Sequence, residues 1–301
     1  MTDKENGGRS VKSAERVLDL LEYVGNRPDG AVFSDLARDL NIPKSSLHGL
    51  LSVLLSRGYL QFKSGPRTYG LGLRLWETGL SYQRQHSILA VARGYLESVV
   101  QQVNETAQLA KLDNTENVYL AKVESTQALR LSSDVGRRLS AHATGVGKAL
   151  LAQLPDEEVS RRFGTGALER YTPNTLVTMP DLLVELAATR ERGFAVDNEE
   201  HTPGVFCLAV PVFEDAGRAT AAISVSLPTI RSDRAKLGTI LSSLCAASVQ
   251  LSGRLSGQPP EPLQSQLCVP TNSRDAIETL VGSKRRVLGW ILDSGPATPS
   301  A

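Results

Sequence analysis

Asn41-Ile42-Pro43-Lys44-Ser45-Ser46-Leu47-His48-Gly49-Leu50-Leu51-Ser52 decides the architecture of the first part of the chain. Pro43 suits the first position of a helix, because its missing N–H is one that the helix would leave unpaired. From there Leu47, Leu50, Leu51, Leu54 and Leu55 recur at three- and four-residue spacing and form one apolar stripe. Lys44, Ser45, Ser46, His48, Gly49 and Ser52 fall on the opposite face, and Arg57-Gly58 ends the helix. Upstream, Asn41-Ile42-Pro43 interrupts a short helix that buries Leu36, Ala37 and Leu40 and for which Ser34 is the expected cap. A first helix carries Ala14, Val17, Leu18, Leu21 and Val24 and stops at Gly25-Asn26-Arg27-Pro28. Downstream, residues 59–62 and 68–71 flank Lys63-Ser64-Gly65-Pro66-Arg67, which reads as a hairpin with a basic tip. Three helices and a hairpin make a winged helix-turn-helix over residues 10–72, preceded by a flexible arm at 1–9 and followed by a linker helix at 73–87.

Charge gives this unit its partner. The whole chain carries only +1, but between Asn41 and Trp76 there are five basic residues (Lys44, Arg57, Lys63, Arg67 and Arg74) and no acidic one. An acid-free stretch on a winged helix is an electrostatic footprint for phosphate. A polar helix face alone also occurs on solvated helices; the turn, the wing and the charge together point to double-stranded DNA. Ser34, Lys44, Ser45, Ser46, His48 and Ser52 are the expected contacts of the helical part, and Lys63 and Arg67 those of the wing.

The remaining residues form a second domain, since 301 residues exceed one ordinary compact unit. An amphipathic helix over 88–103 is followed by a strand pair at 107–112 and 118–123 around a turn-rich connector. Further strands are expected at 193–198, 206–213 and 219–227, and helices at 147–154, 155–163, 181–192 and 231–251. Hairpin strands flanked by helices imply α+β architecture with an antiparallel sheet over 88–254. Beyond Gly257, QPPEPLQSQLCVPTNS reads as a proline-rich linker before a helix at 274–293 broken near Gly282-Ser283, so the 255–301 tail is expected to be removable without loss of folding. The chain opens without an apolar leader and lacks a run of about 18 apolar residues, so a cytoplasmic location without membrane attachment is expected. Cys207, Cys245 and Cys268 are widely spaced, which predicts free thiols and no metal or other cofactor.

Over roughly residues 10–254 the chain resembles the IclR family of transcription regulators. The resemblance rests on residues 41–51 with Gly58-Tyr59-Leu60 and Tyr69-Gly70-Leu71-Gly72, on His142-Ala143-Thr144-Gly145-Val146-Gly147-Lys148-Ala149-Leu150, and on the run from Gly193 to Ala209 that includes Asp197-Asn198-Glu199-Glu200-His201-Thr202-Pro203-Gly204. Gly49 departs from the pattern, since many members carry arginine there. The resemblance implies a GAF/profilin-like second domain, a homodimer or dimer of dimers joined near the linker helix, and repression more than activation. It also implies a small-molecule pocket at Thr144, Gly145, Val146, Asp197, Cys207, Ser224 and Ser226, with Leu131 and Leu139 as apolar wall. The chemistry suits an organic acid: Gly145 and Val146 lie where a loop enters a helix, and Ser224 and Ser226 share one strand face.

Three other readings are weaker. Gly145–Lys148 lacks the first glycine and the final Ser or Thr of a phosphate-binding loop. A thiol-dependent enzyme would use Cys207 with His201 as base but has no orienting third group, so no catalytic residues are expected. An effector-independent DNA-binding protein leaves the second domain without a task.

Overall fold

The computed structural model describes residues 11–85, 87–129, 134–214, 217–255, 263–283, 288 and 291, and the chain falls into two compact units, Met1–His86 and Ser87–Ala301. In the first unit, α1 (Lys12–Gly25), α2 (Phe33–Asp39) and α3 (Lys44–Ser56) bury Leu20, Val24, Leu36, Leu47, Leu51 and Leu54 against one another. The hairpin β1 (Leu60–Lys63) and β2 (Thr68–Leu71) pairs Leu60 with Leu71 and Lys63 with Thr68, and Ala31 bridges to Tyr69 on its far side. Two expectations are corrected. Val32, not Ser34, precedes α2, and no side chain caps it, so Ser34 stands exposed in the first turn. Pro43 likewise sits just before α3, with extended ψ, rather than at its first position. The helix α4 (Leu73–Gln85) follows.

The second unit is built on a six-stranded antiparallel sheet in the order β5-β4-β3-β8-β7-β6, comprising β3 (Thr106–Asp113), β4 (Glu116–Val123), β5 (Arg138–Ser140), β6 (Ala195–Asn198), β7 (Val205–Glu214) and β8 (Arg218–Pro228). Alternation sorts the strand residues onto two faces. Leu208, Val210, Ile223 and Val225 face α5 (Ser87–Val103) and α9 (Arg234–Arg254) in the main core. Ala110, Ala195, Ala209 and Ala222 face the short helix α6 (Gly145–Leu151). Small side chains on that face let α6 approach the sheet closely. The helices α7 (Asp156–Phe163) and α8 (Met179–Arg192) add an outer layer there through Val159, Leu182 and Leu186.

The expected linker after Gly257 is corrected as well. Within it lie α10 (Leu263–Leu267) and the start of α11 (Pro270–Ser283). Leu267, Ile277, Leu280, Val281, Leu288 and Ile291 are buried in the same core as α5 and α9, and Gln264 Nε2 donates to the Pro211 carbonyl at 3.3 Å. Apolar burial of this kind outweighs the weak local helix signal of a proline-rich stretch. The α11 helix ends at Ser283; the expected continuation to Asp293 lies mostly outside the described residues.

Candidate functional site

On the first unit, α3 turns its polar face outward because Leu47, Leu51 and Leu54 anchor the other. Lys44, Ser45, Ser46, His48 and Ser52 are all exposed on α3, Ser34 on α2, and Lys63 and Arg67 at the wing. His48 packs its ring against Phe33 of α2, with centroids 4.5 Å apart, which ties the orientation of one exposed side chain to the neighbouring helix. A Cβ added to Gly49 would meet nothing within 4 Å, so its face of α3 is open.

On the second unit, a cavity of ≈ 280 Å³ opens on the α6 side of the sheet. Its floor follows from strand register: Asp197 pairs with Cys207 and Cys207 with Ser226, so the three side chains stand in one row across β6, β7 and β8. Ser226 Oγ donates to Gln108 Oε1 of β3 at 3.2 Å. Thr144 and Gly145 close one wall. A Cβ on Gly147 would come within 2.2 Å of the Ala141 carbonyl oxygen, so that glycine is required by close packing, while one on Gly145 would stand 3.0 Å from Cys207 Sγ and crowd the cavity floor. Thr144 caps α6 through Oγ1, which accepts from the Gly147 amide at 3.3 Å and donates to buried Asn117 Oδ1 at 2.7 Å. Tyr119 and Leu139 form the β4–β5 wall, and Arg137, His201, Thr202 and Val205 complete the lining.

Of the expected ligand residues, Leu139, Thr144, Gly145, Asp197, Cys207 and Ser226 are thus brought together. Val146 points into the apolar layer between α6 and the sheet. Ser224 is fully buried beside Gln108 and Ala209, outside the lining. Leu131 lies outside the described residues. Sequence reading missed Gln108, Tyr119, Arg137, Thr202 and Val205, and named His201 only as a candidate base for Cys207. It also missed Lys148, which is wholly buried with Nζ against both carboxylate oxygens of Glu200, at 2.5 and 2.6 Å. Lys148 and Glu200 fall in two separate family-like runs, and 52 positions of chain between them conceal the pairing from a local reading.

The cavity is electrostatically unusual. Burial pushes the Cys207 thiol up to about 12, with the Asp197 carboxyl adding to the effect, while the Ser226 and Ser224 hydroxyls oppose it only in part. Such a thiol stays protonated and is a poor nucleophile. Burial, then the neighbouring Arg137 and His142, lowers His201, so its imidazole is neutral at pH 7. Tyr171 stacks on His201 at 4.7 Å and also lies near His142. Among the described residues no group of three or more His, Cys, Asp or Glu side chains is placed to hold a metal ion, and no helix is long and apolar enough to cross a membrane.

Comparison with known proteins agrees with both units. Residues 13–64 match the IclR helix-turn-helix domain and residues 80–253 the bacterial transcriptional regulator IclR C-terminal domain. The chain is 35% identical over 245 residues to the HTH-type transcriptional regulator XynR of Escherichia coli K12, spanning 81% of this chain and 97% of that protein. The crystal structure of Thermotoga maritima IclR superposes with a TM-score of 0.68 at 28% identity, covering 82% of this chain and 99% of that one. An IclR homolog from Microbacterium hydrocarbonoxydans, crystallised with 4-hydroxybenzoate, gives a TM-score of 0.72 at 27% identity over 81% of this chain and 99% of that one. With an exposed basic winged helix in one unit and a lined cavity in the other, the chain belongs to the IclR family: it is a DNA-binding transcription regulator whose second unit is the effector-binding domain.

Proposed function

We propose that the effector is a small organic acid held in the cavity by Ser226, Gln108, Thr144 and Arg137, and that its binding changes operator affinity. The cavity's size carries the reading: at ≈ 280 Å³ it lies just below the roughly 300–1,000 Å³ common for ligand pockets, which suits a small molecule. Its lining supplies one guanidinium and several neutral donors, which suits a single carboxylate rather than a sugar phosphate. A relative's complex with 4-hydroxybenzoate supports the same class. Leu73 and Trp76 are 70% and 63% exposed one turn apart on α4, and apolar side chains left in the open favour a homodimer joined there, or a dimer of dimers. The same reading makes the protein a cytoplasmic repressor rather than a thiol-dependent enzyme, since burial keeps the Cys207 thiol protonated. DNA recognition is assigned to Lys44, Ser45, Ser46, His48 and Ser52, with Ser34, Lys63 and Arg67 on phosphates.

Titration calorimetry of the full chain against a panel of mono- and dicarboxylic acids that includes 4-hydroxybenzoate tests this. Ser226→Ala is expected to weaken acid binding several-fold, and Arg137→Met to weaken it at least as much, since a charge-assisted hydrogen bond is worth about 1.5–3 kcal/mol. Equal affinities in all three proteins would remove both residues from the site.

A further inference from the structure

The buried charge beside the cavity does not balance. Three carboxyl groups, Glu185, Asp197 and Glu200, are gathered with two cations, Lys148 and Arg192. Lys148 is taken by both oxygens of Glu200, and Arg192 Nη2 holds Glu185 Oε1 at 2.6 Å, with Lys148 4.0 Å from the same oxygen. Both cations are matched, and among the described residues Asp197 forms no ion pair, although it is more than nine-tenths buried. A carboxylate withdrawn from water next to a second carboxylate, with no cation of its own, is more stable with a proton on it.

The other groups around Asp197 do not reverse this. The backbone amide of Glu200 donates to Asp197 Oδ1 at 2.8 Å and that of His201 also donates to the carboxyl, both favouring the anion. Burial and the charge of Glu200 outweigh them together with Lys148, and the carboxyl is pushed up to about 8. Cys207 and Tyr119, which face Asp197 from β7 and β4, are held protonated by burial. His201 is neutral, which leaves Arg137 as the charged side chain of the described lining.

We propose that Asp197 stands in the unliganded protein as a neutral carboxylic acid, and that it recognises the effector's carboxylate by donating a hydrogen bond from that acid. The proton stays on Asp197, and no bond is made or broken beyond the hydrogen bond. An ionised aspartate on the floor would repel the ligand; a neutral one turns the same residue into a selective donor for anions. Effector anions therefore bind together with the Asp197 proton, and above pH 8 they must bring one from solution. The second half of this inference rests on reading the cavity as an organic-acid site; the first half does not.

Infrared difference spectroscopy of the full-length, ligand-free protein between pH 7 and 9.5 tests the first half. An un-ionised carboxyl band present at pH 7, lost at high pH and missing from Asp197→Asn, is expected. Absence of any such band in the wild type at pH 7 overturns the proposal without need of a variant, as does a band that persists unchanged in Asp197→Asn. Calorimetry with 4-hydroxybenzoate tests the second half: one bound proton makes affinity fall about tenfold between pH 7 and 9. Affinity independent of pH over that interval overturns the donor role. Failure of the acid to bind at any pH counts against the proposed ligand class, and the infrared result then decides the state of Asp197 by itself.

Discussion

Gly49 shows how one residue separates stability from recognition. It lies in the middle of α3 with open space around its Cα, so the helix carries the entropic cost of a glycine without a packing reason for it. Gly49→Ala is expected to raise unfolding stability of the first unit by about 1 kcal/mol, read from the denaturant midpoint; a loss of stability would show a contact missed at this face. Lys63 and Arg67, exposed at the wing, are proposed to act through charge alone. Replacing both with alanine should weaken binding to every DNA sequence and flatten the plot of log affinity against log salt by about one unit per lost phosphate contact. An unchanged slope would remove them from the phosphate set. His142 is buried with its Nε2 at 2.9 Å from the Glu169 carbonyl oxygen, and burial lowers its pKa against the opposing pull of that carbonyl and of Glu200 and Glu169. Its folded-state pKa thus lies below the unfolded value of about 6.5. The stability it contributes is present above that value and is lost as pH falls through it. Thermal unfolding at pH 7 and pH 5 should show a larger drop for wild type than for His142→Gln; identical drops would refute the assignment.

At the scale of elements, legibility followed range. The α3 stripe, the β1–β2 hairpin, α4 and the β3–β4 and β7–β8 pairs were readable because each is fixed by local periodicity and turn residues. The pairing of β3 with β8 was not: Gln108 meets Ser224, and no local pattern announces a partner more than a hundred residues away. That pairing sets the cavity floor, which is why Gln108 escaped notice while Ser226, carried by a family pattern, did not. The Lys148–Glu200 pair was hidden for the same reason. The helix over 274–283 was expected, but α10 and the first turn of α11 were read as linker because their stability comes from α9 beneath them, through contacts such as Ser248 and Gln264, both bonded to the Pro211 carbonyl. A chain ending at residue 257 would uncover that surface of α9. Each of Leu267, Ile277, Leu280 and Val281 stabilises the fold by roughly 1.5–3 kcal/mol on burial, so the shortened protein should unfold at clearly lower urea and self-associate. An unchanged midpoint would return the segment to the status of a dispensable linker.

For the molecule as a whole, the two units divide labour in a way the charge pattern already announced: a winged helix whose recognition helix and wing carry basic residues and no acidic one, and a sheet domain whose buried charges are mostly paired. The residues proposed to contact DNA are exposed and lie within one short stretch of chain, where a local reading can single them out; those that build the cavity come from all six strands of the sheet, a helix entrance and the loops at Arg137 and His201-Thr202, so a local reading could recover only the ones that a family pattern carries. The central pairing of β3 with β8 has one more consequence. During synthesis, the chain up to α4 leaves the ribosome with every contact of its own core in hand, whereas β3 waits for more than a hundred further residues before its neighbour exists. The growing polypeptide therefore owns a DNA-binding head well before it owns a sensor. A message cut short or a ribosome stalled before β8 would release a regulator deaf to its signal, and the cell's proteases would have to remove it.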